Sequence, residues 1–368
     1  MSGGVDSSVA AHLLQQQGHK VVGVFMRHGE EAVRACSVDG QLEQSPLLPI
    51  FNQRADHKQG CCSVEDADDA RRVADRLEIP FYSLDLQAEF RRIIDYFVDE
   101  YSAGRTPNPC VQCNNWLKFG KLFDFADGVG AEYVATGHYA RLTYDDLDDP
   151  AIPALRRGVD DGKDQSYVLF GIDRSLLPRM MLPVGDHTKP HIRELAAQIG
   201  LKVADKRDSQ EICFVTSGRH DEFVRQHRET DLSGEFVTTD GRVVGRHPGI
   251  ERFTIGQRKG LGIALGEPYF VVRIEPKTRR VVLGRHEELA QSELTAERTN
   301  WLVRPPAGEF RCLAKIRYNS PPAPAIARVL PAERLHVRFD EPRFGVAPGQ
   351  AVVCYDGDRV LGGGWIES

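Results

Sequence analysis

The sequence has no run of about 18 apolar residues, the length a bilayer-spanning helix needs, so no membrane span is expected. It has no charged-then-apolar leader at its N-terminus, so no secretory signal is visible. The eight cysteines lack the close framework spacing of small disulfide-bonded domains. They point to a reducing compartment where thiols persist, and the cytoplasm is the expected location. Internal repeats and low-complexity tracts are also absent. Nor is there an excess of positive charge. The formal net charge of −6 argues against a surface that is basic all over.

What is present is the composition of a soluble globular protein, 41% apolar and 27% charged. At 368 residues the chain exceeds one ordinary core, so two or three domains are expected. Charge is unevenly placed. From Asp56 to Glu100 there are 12 acidic and 6 basic residues, whereas Arg242 to Arg285 holds 10 basic and 3 acidic ones. A local basic stretch in an acidic protein is compatible with a polyanion docking on one face, and equally with a solvated surface.

The first half alternates helical and strand-like segments. Ser8 to Gln17 reads as a helix stopped by Gly18, and Lys20 to Met26 as a short apolar strand. Val64, Ala67, Ala70, Val73, Ala74 and Leu77 share one helical face. A strand over Phe81 to Leu86, a helix over Ala88 to Tyr101, a second around Lys118 to Ala126 and a strand over Glu132 to His138 follow. This alternation means βαβ units and a doubly wound parallel sheet, with ligands at the carboxyl ends of its strands. Residues Arg27 to Gly60 show no period and read as a long loop over the site. After about Ser217 the pattern becomes β-rich. Asp-Gly pairs at 240–241 and 356–357 each sit between apolar strands, a strong hairpin signal, and the last third reads as a small barrel. The expected divisions are 1–217, 218–284 and 285–368.

The chain begins M-S-G-G-V-D-S-S. Two glycines let the backbone turn sharply towards a polyanion, and serines at the start of the next helix add donors where the helix dipole favours negative charge. No lysine follows, so this is not the phosphate loop of kinases and GTPases. It resembles the PP-loop of ATP pyrophosphatases. Such loops normally follow a buried strand and none precedes Met1, so the expectation is that the true start lies upstream.

Cys110 and Cys113 form a Cys-x-x-Cys pair behind Pro107-Asn108-Pro109. Three readings are open for it. A redox pair would normally open a helix after a strand, without prolines in front. A structural zinc site needs two more ligands, and the adjacent Cys61 and Cys62 are poor candidates. A thiol beside an adenylating loop can act as a nucleophile or a sulfur carrier.

The stretches A-G-R-T-P-N-P-C-V-Q-C-N-N-W-L-K-F-G (103–120), A-T-G-H-Y-A-R (135–141), G-K-D-Q-S-Y-V-L (162–169), D-S-Q-E-I-C-F-V (208–215) and T-I-G-Q-R-K-G-L-G-I (254–263) occur in that order. With the N-terminal loop, and extending to L-G-G-G-W-I (361–366), they resemble the bacterial tRNA-uridine 2-sulfurtransferase (tRNA-specific 2-thiouridylase) family. The resemblance implies that ATP activates the 2-oxygen of the wobble uridine, that a persulfide sulfur attacks the ring carbon, and that a second cysteine releases it. It makes Cys213 the persulfide carrier and Cys113 the partner nucleophile. Cys110 stands where many members carry Asp, the proposed proton shuttle, and an ordinary thiol is a weaker base at neutral pH. Cys110, Cys113 and Cys213 together would suit a [4Fe-4S] cluster with an open iron position.

The resemblance also places ATP on Ser2, Gly3, Gly4, Val5, Asp6 and Ser7, with Met26 and Gly137 at the adenine and Mg2+ at the pyrophosphate. It puts the target base at Asn108, Pro109 and Cys110. It puts tRNA at His138, Lys163, Asp164, Gln165, Arg317, Tyr318 and Gln350. The implied partners are tRNAs for Lys, Glu and Gln and a sulfur-relay protein that donates persulfide. Two other readings stand beside this one: an amide-forming ligase with the same loop, such as an asparagine or lysidine synthetase, and a non-catalytic tRNA- or metal-binding protein.

Overall fold

A computed structural model describes residues 1–27, 64–145, 149–206, 208, 212–215, 219–228 and 230–367. The loop expected after Arg27, with Cys36, Cys61 and Cys62, lies outside the described residues, as do Ser209, Gln210 and Glu211. The chain divides into two compact bodies, Met1–Ala88 with Arg193–Arg219, and Glu89–Ile192 with His220–Ser368.

The first body is a βαβ unit with a helix in front. α1 (Val5–Gln16) buries Val5, Val9, Ala10 and Leu14, an i, i+4 spacing that turns one face inward. It ends before Gly18, whose φ of +87° is the left-handed stop that glycine adopts without strain. β1 (Gly23–Arg27) pairs in parallel with β2 (Phe81–Asp85), and α2 (Val64–Arg76) is the crossover between them. Ala70, Val73 and Ala74 of α2 are buried, on the face that the apolar spacing marks out. Ala11, Ala74 and Ile79 form a small core, with Met1, Val21, Leu77 and Phe81 packed on it.

The second body begins with α3 (Gln87–Ser102) and a continuous helical run. That run consists of α4 (Pro109–Gln112), a wide π-helical segment over Cys113–Lys121 and α5 (Leu122–Val129). The sequence reading expected a helix only from about Lys118. The helix starts nine residues earlier because Asn108 caps it, its side chain accepting from Val111 N at 3.4 Å, and Pro109 takes the first position. There the missing N–H costs nothing. Asn-Pro here opens a helix instead of extending a loop.

β3 (Val134–Ala135) pairs in parallel with β6 (Met180–Met181). Between them β4 (Ala140–Thr143) and β5 (Ala154–Arg157) form a hairpin. α6 (Lys189–Gln198) and α7 (His220–His227) follow. β7 (Gly234–Thr238), β8 (Val243–His247), β9 (Phe270–Glu275) and β10 (Arg280–Gly284) make a four-stranded sheet ordered β8-β7-β10-β9. The last six strands are β11 (Ala290–Trp301), β12 (Glu309–Lys315), β13 (Ala323–Leu330), β14 (Arg334–Phe344), β15 (Ala351–Asp356) and β16 (Arg359–Ile366). They close into an antiparallel barrel because β11 pairs with both β14 and β16. Asp240-Gly241 sits in the β7–β8 turn, and Asp356-Gly357 spans the end of β15 and the first residue of the β15–β16 turn, as their sequence signal requires.

One feature has no counterpart in the sequence reading. β5 extends the barrel sheet through Arg359↔Arg156. Asp358 accepts from Arg141 at 2.6 Å and also pairs with Arg156. Contacts this distant in sequence carry no local signal.

Candidate functional site

In the first body the N-terminal loop is shaped to receive an anion. Gly3 has φ +68°, and a side chain there would overlap the Asp66 carbonyl, so both conformation and space require glycine. Gly4 caps α1 with no side-chain hydrogen bond, and the N-terminus of a helix is a place where N–H groups and the helix dipole favour an anion. Ser2 and Ser7 hydroxyls lie 3.2 Å apart, and Ser7 and Ser8 hydroxyls donate to Gly4 O at 3.3 and 2.8 Å. Val5 is buried in the core and Asp6 stands in the first turn. Met26 lies half-buried in β1.

Lys206 belongs to none of the motifs quoted above, yet it reaches the phosphate loop. Its ammonium donates to Gly3 O at 3.0 Å, to Asp66 at 2.6 Å and to Asp69 at 2.8 Å. Burial disfavours the charge, but hydrogen bonds to and the charges of the two carboxylates outweigh it and hold the Lys206 pKa above the ordinary lysine value. Arg193 donates to Ala204 O, Lys206 O and Asp208 at 2.8, 3.0 and 3.1 Å. The segment leading to Cys213 is therefore tied both to α2 and to the phosphate loop. Cys213 is half-buried in a turn closed by Val215 N donating to Ile212 O at 3.0 Å.

In the second body Cys110 is exposed and Cys113 half-buried. Cys113 N donates to Cys110 O, so the two thiols stand one helical turn apart on the same face. The strap that enters this helix is pinned to the barrel. Gln350 Nε2 donates to Thr106 O and Pro107 O at 3.1 and 3.0 Å, and Thr106 N donates to Pro348 O at 2.8 Å. Buried Glu100 accepts from Arg105 Nε at 2.7 Å. Tyr96 OH faces Asn108 N, and burial first, then the Glu100 charge, push its pKa to about 12.

The stretch 162–169 is the hub beneath the cysteine helix. Buried Asp164 accepts from Gly158 N and Ser166 N at 3.2 and 3.1 Å and from Arg157 at 3.2 Å. Gln165 accepts from Tyr139 N at 3.0 Å, and Lys163 lies half-buried beside them. Tyr167 OH donates to Ala351 O at 2.9 Å, and Asn114 Nδ2 donates to Val168 O at 2.9 Å. Tyr318 is 38% exposed, and its ring meets Tyr167 edge-on at 6.4 Å. Lys315 Nζ lies 5.6 Å from that ring. Burial, then the charges of Asp164 and of a Cys110 thiolate, raise the Tyr318 hydroxyl, so Cys110 lies within electrostatic reach of it. Arg317 donates to Ile255 O at 2.8 Å, which holds the 254–263 loop against this corner.

Of the residues expected to meet tRNA, Tyr318 presents an open ring, whereas His138 and Asp164 are buried. Gly137 is half-buried next to His138. His138 Nδ1 lies 2.8 Å from Thr136 Oγ1 and Nε2 lies 3.4 Å from Lys118 Nζ. Burial, then the Lys118 charge, hold its pKa well below 6.5. The ammonium must donate to Nε2, which leaves the proton on Nδ1. His220 and His247 are also lowered, in both cases first by burial. Below pH 6.5 the unfolded chain binds protons that the folded one refuses, so stability is lost as pH falls. The expected slope is at most about 1.4 kcal/mol per pH unit for each such histidine. Urea midpoints at pH 7 and 5.5 measure it, and His138→Gln should flatten the fall. An unchanged profile would mean that His138 protonates in place.

Among the described residues no group of three or more His, Cys, Asp or Glu is gathered to hold a metal ion. The iron–sulfur expectation at Cys110, Cys113 and Cys213 thus has no support. Among the described residues no helix is long and apolar enough to cross a membrane.

Three family models match the chain: a tRNA methyl transferase HUP domain at 1–217, a tRNA methyl transferase PRC-barrel domain at 221–285 and an aminomethyltransferase beta-barrel domain at 291–366. The chain is 59% identical to a tRNA-specific 2-thiouridylase MnmA of Rhodopirellula baltica, over all of this chain and 94% of the relative. Proteins of the same name from Carboxydothermus hydrogenoformans and Moorella thermoacetica are 46% and 45% identical, over all of this chain and 96% and 98% of their own lengths.

Proposed function

The chain belongs to the tRNA-specific 2-thiouridylase family, and we propose that it thiolates the 2-position of the wobble uridine of tRNA at the expense of ATP. The family models carry the word methyltransferase, yet methyl transfer needs no pyrophosphate loop, and this chain has one with three thiols in its flanking motifs. ATP binds the N-terminal loop. Ser2, Gly3, Gly4, Val5, Asp6 and Ser7 receive its phosphates through N–H and hydroxyl donors, and Met26 and Gly137 take the adenine. Mg2+ would sit on the phosphate oxygens. A loop rich in N–H and hydroxyl donors, with Asp6 in the adjoining first turn, fits a cation held mostly by phosphates and water. Held there, it would offset the charge that develops on the leaving pyrophosphate.

Adenylation of the 2-oxygen turns a poor leaving group into AMP. The target uridine leaves its stack to reach the thiols, as bases generally must for chemistry. Asn108, Pro109 and Cys110 frame it, and Tyr318 offers a stacking face. The outer sulfur of a Cys213 persulfide attacks the ring carbon and AMP departs. The Cys113 thiolate then attacks Cys213 Sγ. The sulfur–sulfur bond breaks with its electron pair on the uridine sulfur, leaving 2-thiouridine and a Cys113–Cys213 disulfide. Lys163, Gln165, Arg317 and Gln350, with buried His138 and Asp164, shape the tRNA-facing surface around the cysteine helix. The tRNAs for Lys, Glu and Gln, a persulfide-donating relay protein, a cytoplasmic location and working divisions at 217 and 284 belong to the same reading.

The observation that carries this reading is the setting of Cys113. It is a half-buried thiol one turn into a helix whose entry strap is pinned by Gln350 and by Thr106. A nucleophile that must meet a flipped base needs such a fixed position. The test supplies the chain with anticodon stem-loop RNA, ATP and a persulfide donor. The expected products are 2-thiouridine, AMP and pyrophosphate in equal amounts. ATP turnover to AMP with no sulfur in the RNA would instead favour an amide-forming ligase, and RNA binding without turnover a non-catalytic protein.

A further inference from the structure

The proposed reaction leaves the enzyme oxidised, and something must reopen the Cys113–Cys213 disulfide before the next sulfur arrives. We infer that Cys110 is the resolving thiol: one helical turn from Cys113 on the same face, it takes over Cys113 as disulfide partner and releases Cys213. This rests on the sulfur-transfer reading above.

Three observations support it. The backbone bond from Cys113 N to Cys110 O fixes the pair at i, i+3. Helix geometry then sets their Cα atoms about 5 Å apart, inside the range a disulfide spans. Second, exposure is graded, with Cys110 exposed and Cys113 half-buried. After exchange the outer sulfur of the pair faces solvent, where an external dithiol can attack it. Third, Cys110 lies within electrostatic reach of Tyr318, and the ring of Tyr318 lies 5.6 Å from the Lys315 ammonium.

The step balances. The Cys110 thiolate attacks Cys113 Sγ, a Cys110–Cys113 bond forms, and the Cys113–Cys213 bond breaks. Cys213 leaves as a thiolate with the electron pair and is ready to accept another sulfane sulfur. A dithiol reductant then supplies two electrons to the Cys110–Cys113 disulfide and is itself oxidised. An aspartate at position 110 could not do this. Such an enzyme would depend on direct reduction of the Cys113–Cys213 bond.

The experiment uses the full chain, charged with one persulfide, with stem-loop RNA and ATP. One turnover without reductant is quenched with maleimide and disulfide-linked peptides are mapped by mass spectrometry. Wild type should show Cys110 linked to Cys113 and Cys213 alkylated. Cys110→Ser and Cys110→Asp should show Cys113 linked to Cys213. Cys110 also borders the target base, so each variant is read against its own first turnover, and multiple turnover with a dithiol should fall roughly tenfold further than that first turnover does. Wild type with Cys113 still bound to Cys213 and Cys110 alkylated, or Cys110→Ser turning over at the wild-type rate, would overturn the assignment. So would loss of the first turnover in both variants, which would make Cys110 part of the sulfur transfer itself. A wild-type chain that puts no sulfur into RNA at all would remove the reading beneath it, and the proposal with it.

Discussion

Cys213→Ala is expected to abolish 2-thiouridine formation, by at least about a thousandfold, while AMP and pyrophosphate still form when RNA and ATP are supplied. The side chain is half-buried in a short turn, and alanine fits there without strain, so folding should survive. What disappears is the atom that carries the sulfur. Cys213 is not among the residues that receive ATP, so activation of the uridine can continue, and the adenylate is then lost to water. Cys113→Ala should fail differently. Attack by the persulfide still joins RNA to Cys213 through two sulfurs, but the thiol that breaks that bond is missing. A covalent enzyme–RNA species should therefore accumulate and vanish on adding reductant. A non-reducing gel and a thiouridine assay separate the two outcomes. If both alanine variants thiolate or ligate as well as wild type, the cysteines are bystanders and the sulfur-transfer reading fails.

Much of this architecture is legible locally. The Gly3-Gly4 turn, the one-sided apolar spacing of α2 and the Asp-Gly hairpins each act over a few residues, and each appears in the fold where expected. The misread helix start has the same local character. Asn108 and Pro109 are a cap and a first-turn residue, a start signal that stands nine residues ahead of the expected helix around Lys118. The π-helical run from Cys113 to Lys121 escapes a 3.6-residue period by construction. Other features are illegible for a different reason. Gln350 reaches Thr106 across 244 positions and Asp358 reaches Arg141 across 217, and neither pair has a chemical signature in the sequence.

The histidine at 138, which the resemblance places at the tRNA, also has a structural setting that its motif does not announce. Its burial, and the lysine donating to Nε2, make it a neutral wedge between β3 and the cysteine helix. In this setting it contributes by holding Lys118 and Thr136 in place.

Lys206→Met is expected to raise the KM for ATP about tenfold and to lower stability by about 1–3 kcal/mol, with kcat at saturating ATP nearly retained. Lys206 lies 140 positions from Asp66 and 203 from Gly3, and joins both. The Asp66 side chain is 7% exposed, so removing a counter-charge leaves a carboxylate in a poorly solvated place. Breaking a fully buried pair costs about 3–5 kcal/mol, but the Lys206 side chain is 25% exposed and solvent screens part of the loss. The effect on ATP has a separate origin. Gly3 is held at φ +68° against the Asp66 carbonyl, and the ammonium bridges that loop to α2. Without the bridge the loop samples other conformations, and binding energy is spent re-forming the one that accepts phosphates. A tenfold change corresponds to about 1.4 kcal/mol, within the range of one charge-assisted hydrogen bond. Lys206→Arg keeps the charge, and its fork can reach both carboxylates, so stability should recover further than the KM, which depends on the third contact at Gly3. Urea melts and ATP titrations of both variants give the comparison. A destabilised Lys206→Met chain with an unaltered KM would confine the lysine to packing α2, and would separate the phosphate loop from the segment that carries Cys213.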